Sequence, residues 1–283
     1  MTVDDAFRQM MRREPQPSAG APEASQKGGA EPLTLEAISP RPRFEYADVE
    51  KRSQVAEEYR ILRTRLQVAR PRRNSVLVTS CRHGEGKTTT AVNLALSMAQ
   101  RPRQHVLVLD LDLRRPRIGR MLGVEAEVDL VDVVRGRASP EQAIVYGEQE
   151  NLYALTARRQ YANATELIET PAMQQLLDRL HATFDFLVVD VCPCLSTADP
   201  MVVGPWCGGV VMVVRTRHTQ RESLDHAIRA LREHEVPTLG VVLTFMKYLI
   251  PPYLYRYQYY HDPSYYYYRY DTRGRAEEAQ AHG

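Results

Sequence analysis

The stretch SVLVTSCRHGEGKTTT, residues 75–90, decides the fold. Its first six residues carry no charge and are mostly branched and apolar, the pattern of a strand buried on both faces. They run directly into Gly84 and Gly86, which let backbone amides approach phosphate oxygens with no Cβ in the way. The helix that follows aims its positive end at the same point. Lys87 would then reach the β and γ phosphates of a nucleotide, and the Thr88 hydroxyl would coordinate magnesium. The expected ATP contacts are Gly84, Glu85, Gly86, Lys87, Thr88 and Thr89. The common pattern G-x-x-x-x-G-K-[ST] is incomplete, because Cys81 stands where its first glycine belongs.

Working outward, five further apolar runs resemble the first: HVLVLD at 105–110, LYAL at 152–155, FLVVD at 186–190, GVVMVV at 209–214 and LGVVLTF at 239–245. Helical stretches separate them. Before the first run, Val55, Tyr59, Leu62 and Leu66 fall at the spacing of one buried helical stripe. Ser139-Pro140 with Gln142, Thr170-Pro171, and Thr219 with Glu222 each sign a helix start. Doubly apolar strands alternating with helices predict an α/β domain, with a doubly wound and mostly parallel sheet flanked by helices. In such folds ligands bind beyond the carboxyl ends of the strands, where the glycine-lysine loop falls.

Two of those strand ends carry carboxylates. VLVLDLDLRRP places Asp110 and Asp112 two residues apart, and FLVVD ends on Asp190. Carboxylates held beside phosphates call for a cation. Magnesium supplies it, leaving one carboxylate free to accept a proton from an attacking hydroxyl. A store of candidate acceptors lies at the other end of the chain. Residues 253–270 hold ten tyrosines, namely Tyr253, Tyr255, Tyr257, Tyr259, Tyr260, Tyr265, Tyr266, Tyr267, Tyr268 and Tyr270. Pro251, Pro252 and Pro263 oppose regular structure there.

Composition excludes several classes. The 283 residues, 43% hydrophobic and 25% charged, suffice for one core of roughly 200 residues with flexible ends. A formal charge of +2 gives no reason to expect nucleic acid as a partner. Four cysteines without C-x-x-C spacing argue against disulfides and structural zinc, and the cytoplasm is the expected compartment. No apolar run nears the roughly 20 residues that span a bilayer, so membrane association would come through a partner. Residues 14–43, rich in Pro, Ala, Gly, Ser and Glu, read as a linker.

Taken together, the glycine-lysine loop at 84–88, the LDLDLRRP pair, the strand ending at Asp190 and the terminal tyrosines resemble the bacterial tyrosine kinases of capsule and exopolysaccharide synthesis. Glu57, Arg60 and Arg63 look like that family's E-x-x-R-x-x-R oligomerisation helix, and NATEL at 163–167 is similar to its N-P-x-E-L segment. The resemblance implies that Lys87 and Thr88 bind ATP and magnesium, that Thr88, Asp112 and Asp190 serve the metal, and that Asp110 is the base. Lys87, Asp110 and Asp112 are then the catalytic set. It further implies a ring-like homo-oligomer whose tails are phosphorylated between neighbours, an integral-membrane polysaccharide co-polymerase as activator, and a cognate tyrosine phosphatase. The chain would lie at the inner face of the membrane through that activator. Three segments follow: a flexible 1–45, a kinase domain at 46–247 and a phosphoacceptor tail at 248–283. Departures from the family pattern stand at Cys81, His83, Cys192 and Thr244. The other readings are an ATPase switch of the partitioning type, for which Arg82 stands where a lysine is usual, and an interaction subunit without kinase activity.

Overall fold

A computed structural model describes residues 30–35, 38, 54–69, 71–124, 126–147 and 151–246. The tyrosine-rich stretch and most of the expected amino-terminal linker lie outside the described residues. Two compact units divide the chain after Thr244, and the first carries the sheet.

The strands are β1 (Ser75–Ser80), β2 (Val106–Asp110), β3 (Ile144–Tyr146), β4 (Leu152–Leu155), β5 (Phe186–Asp190), β6 (Val210–Arg215) and β7 (Thr238–Thr244). They form one sheet in the order β3-β4-β2-β5-β1-β6-β7. Every pairing is parallel except that of β3 with β4. The six strands expected from the sequence are the six parallel ones. The antiparallel β3 escaped that reading because three residues following the short Pro140–Ala143 helix are too few to display a period.

The unbroken apolar runs have a simple cause: both faces of the sheet are covered. Val76, Val78, Val106, Val108, Val188, Val211 and Val213 join one core with Val92, Leu94, Ala95 and Met98 of the Lys87–Ala99 helix and Leu66 of the Gln54–Ala69 helix. Their strand neighbours Leu77, Leu107, Leu109, Leu187, Val189 and Met212 join the other core, with Leu176, Leu177 and Leu180 of the Pro171–Thr183 helix and Ala227 and Leu231 of the Arg221–Glu233 helix. Period-2 alternation thus persists in direction while both sides stay apolar. Fully burying one such side chain stabilises the fold by roughly 1.5–3 kcal/mol.

Two of the three predicted helix starts hold. The Thr170 hydroxyl accepts from the Met173 amide, and Ser139 with Gln142 makes a capping box. The third is corrected: the last long helix begins after Gln220, and Thr219 makes no box with Glu222. Its hydroxyl instead donates to the Glu85 carboxylate and accepts from the Arg215 amide. A charged acceptor outcompetes a helix end for that hydroxyl.

The predicted stripe on the first helix also starts later than expected. Val55 is 52% exposed, whereas Tyr59 and Leu62 pack on the core and Leu66 is buried. Within the expected linker, Leu33 and Ile38 are buried in the main core, and the Leu33 amide donates to Thr183 Oγ1. Two apolar residues in a polar segment suffice to seat it locally. Among the described residues no helix is long and apolar enough to cross a membrane.

Candidate active site

The phosphate loop leaves β1 at its carboxyl end and turns twice through left-handed backbone, at Gly84 (φ +79°) and Gly86 (φ +93°). A side chain at either position would be strained whatever space it had. Gly86 caps the Lys87–Ala99 helix with its backbone alone, so the first amides of that helix face outward for a ligand.

Parallel pairing brings the carboxyl ends of β1, β2 and β5 side by side, with Asp110 in register with Asp190 and Val78 with Asp190. The predicted residues therefore converge. Lys87 Nζ lies 2.6 Å from Asp112 Oδ2, 3.3 Å from Asp190 Oδ1 and 3.4 Å from Thr88 Oγ1. All four residues are buried. Burial works against the Lys87 charge, but the carboxylates of Asp190 and Asp112 outweigh it and hold the ammonium above the ordinary lysine value.

Asp110 and Asp190 are both fully buried. Asp110 is held by the backbone. Its Oδ2 accepts from the amides of Arg117 and Ile118, where the short Ile118–Leu122 helix begins. Burial and then the charge of Asp190 push its carboxyl up to about 8 against the Ile118 amide. Asp190 is likewise raised, by burial first, with Lys87 and Thr88 offsetting part of the effect. Asp110 Oδ1 and Asp190 Oδ2 are buried oxygens with no hydrogen-bond partner.

Those orphaned oxygens beside a lysine suit a cation with phosphates. No three acidic, histidine or cysteine side chains among the described residues cluster as a metal cage. Magnesium needs no such cage, because it takes one or two carboxylates plus phosphate oxygens and water. Thr88, Asp112 and Asp190 fit that requirement.

Glu85 lies in the same loop. Its side chain is fully buried and turned back on its own loop, its Oε2 accepting the amides of Cys81 (2.8 Å) and Arg82 (3.1 Å). It faces the loop's interior. Thr89 is exposed on the first turn of the helix. Thr244 donates its hydroxyl to the Glu85 carbonyl at 2.7 Å.

Beside the aspartates lies a cluster the sequence did not reveal. Buried Asp199 accepts from Thr165 Oγ1 (2.7 Å) and the Cys192 thiol (3.1 Å), and pairs with Arg114 at 3.6 Å. Arg114 also donates to Thr165, so NATEL is tied to the LDLDLRRP segment. Burial, chiefly, lifts the Cys192 thiol far above its ordinary range, which leaves it a packing residue. On the first helix, Glu57 pairs with Arg60, while Arg63 donates to the Ser97 carbonyl of the Lys87–Ala99 helix. Arg63 thus ties the first helix to the Lys87–Ala99 helix while staying within electrostatic reach of Glu57 and Arg60.

The family model ParA, described as NUBPL iron-transfer P-loop NTPase, matches residues 72–262. Tyrosine-protein kinase YwqD of Bacillus subtilis (strain 168) is 34% identical over 203 residues, covering 71% of this chain and 85% of that protein. Some other curated relatives are longer, and the chain spans only 26% to 30% of their length, whereas tyrosine-protein kinase CpsD of Streptococcus pneumoniae, 28% identical over 66% of this chain, is covered to 82%. The kinase domain of Escherichia coli tyrosine kinase ETK superposes with a TM-score of 0.68 at 25% identity, over 78% of this chain and 90% of that one. The VpsO kinase domain gives 0.64 at 30% identity, over 72% and 100%.

Proposed function

The chain belongs to the ParA-type P-loop NTPases and, within them, to the bacterial tyrosine kinases, and from that membership we propose that it transfers the γ-phosphoryl group of ATP to the tyrosines between Tyr253 and Tyr270 of a neighbouring copy. The observation that carries the reading is the Lys87 ammonium held by Asp112 and Asp190 beside a phosphate loop with two left-handed glycines.

In this mechanism the loop amides and Lys87 bind the β and γ phosphates, and Thr88, Asp112 and Asp190 hold magnesium. The metal, when bound, neutralises charge on the phosphate oxygens. The tyrosine oxygen forms its bond to the γ phosphorus as the bond to the β,γ-bridging oxygen breaks and ADP leaves. The phenolic proton goes to Asp110. Asp110 must be ionised to accept it: burial favours its neutral acid, and the Lys87 charge favours the carboxylate. Asp110 is fully buried, so the phenolic proton reaches it only after the site rearranges around bound nucleotide.

The wider role follows from the same reading. Phosphorylation adds about −1.5 to −2 charge per tyrosine, enough to loosen a ring-like homo-oligomer whose tails carry several phosphates. Such a cycle would regulate polymerisation and export of a surface polysaccharide, with an integral-membrane co-polymerase as activator and a tyrosine phosphatase closing the cycle. The protein would sit peripherally at the inner membrane face.

Transfer between copies is tested by mixing wild type with a tagged Lys87→Met chain in magnesium and ATP. Phosphotyrosine on the tagged, inactive chain is the expected result. Phosphate confined to the wild-type chain would contradict transfer in trans.

A further inference from the structure

Glu85 is buried, and its carboxylate and backbone carbonyl together draw partners from three separated parts of the chain. Oε2 accepts the amides of Cys81 and Arg82 at the start of the phosphate loop. Oε1 accepts the hydroxyl of Thr219, which stands between β6 and the Arg221–Glu233 helix. The backbone carbonyl of the same residue accepts the hydroxyl of Thr244 at the end of β7. Thr219 is itself fixed by the Arg215 amide and Thr244 reaches the Val214 carbonyl at 3.3 Å.

This brace explains how the loop manages without its usual first glycine. Cys81 is fully buried and its amide is spent on Glu85 rather than on a ligand. The turn between Cys81 and Glu85 is therefore closed by a side chain, and the amides left for phosphate are those further along, around Gly84 and Gly86. A carboxylate accepting two amides and a hydroxyl fixes the loop before any ligand arrives, which lowers the ordering cost of binding.

We propose that Glu85, with Thr219 and Thr244, is a positioning device that sets the affinity of the phosphate loop for nucleotide and fastens that loop to the ends of β6 and β7. The proposal rests on the nucleotide-site reading above. Glu85 touches no reacting atom in it. Its effect passes through the loop amides, so it governs how tightly nucleotide binds rather than how fast a bound nucleotide reacts.

The test is calorimetric titration of the full chain with ATP in magnesium, alongside the turnover rate at saturating ATP. Glu85→Ala should weaken binding about tenfold or more, the scale of losing hydrogen bonds to a charged group, with a smaller loss in the saturated rate than in affinity. Glu85→Gln, which keeps one acceptor oxygen, should recover part of the loss. Thr219→Val should weaken binding by a few fold alone and add nothing in the Glu85→Ala background, because both remove the same contact. Circular dichroism identifies a misfolded variant, and Thr219→Val, which removes a single hydroxyl, then carries the test. If wild type binds ATP and both Glu85→Ala and Thr219→Val bind as tightly, the positioning role is wrong while the site stands. If wild type itself binds no nucleotide, the site reading fails instead.

Discussion

Asp129 shows how one side chain can set the acid response of this fold. Its buried carboxylate caps the Leu130–Val134 helix through Val131 and Asp132, and also accepts the Arg158 amide and the Tyr161 hydroxyl. Burial alone would raise it, but those hydrogen bonds outweigh the penalty and leave it below the ordinary aspartate value. A depressed carboxylate contributes stability that is present above the unfolded value of about 4 and is lost as pH falls below it. Asp129→Asn should therefore cost about 1.5–3 kcal/mol at neutral pH and flatten the acid limb, as read by urea unfolding across pH 2–7. For Asp110→Asn, the expectation is retained ATP binding with phosphoryl transfer reduced about 10²–10⁴-fold. Lys87 and the three strand-end aspartates were legible because each follows an apolar run. Asp199 and Thr219 were not, since their partners Arg114, Thr165 and Glu85 are distant in sequence and meet only through the sheet.

At the scale of elements, the six parallel strands were legible for the reason that their runs are apolar on both faces. β3 was hidden by its length. The entry to β6 depends on an approach that sequence pattern does not show: a Cβ at Gly208 would lie 2.4 Å from the Arg73 carbonyl oxygen and 2.5 Å from that of Ser75. Both are backbone atoms flanking β1 and cannot swing aside. Gly208→Ala should cost about 3 kcal/mol, measured as a lowered midpoint in denaturant. Thr170→Ala removes one amide cap from the Pro171–Thr183 helix and should cost about 1 kcal/mol. The buried Leu33 and Ile38 went unread because period and length, the signals that mark an element, are absent from so short a stretch.

For the whole molecule, the account joins a nucleotide site in the described core to a set of tyrosines beyond it in the chain. In the proposed reading, family membership accounts for both occurring in one polypeptide, and the lysine-aspartate cluster at the ends of β1, β2 and β5 would supply the chemistry. The most direct test is to map phosphotyrosine by mass spectrometry after incubating the full chain, and separately Lys87→Met, with magnesium and ATP, in each case with and without candidate activator fragments. The account predicts phosphate on several tyrosines between Tyr253 and Tyr270 in the wild type and none in Lys87→Met. ATP consumption without tyrosine phosphate, in the presence of an activator shown to bind, would contradict it and identify a nucleotide switch.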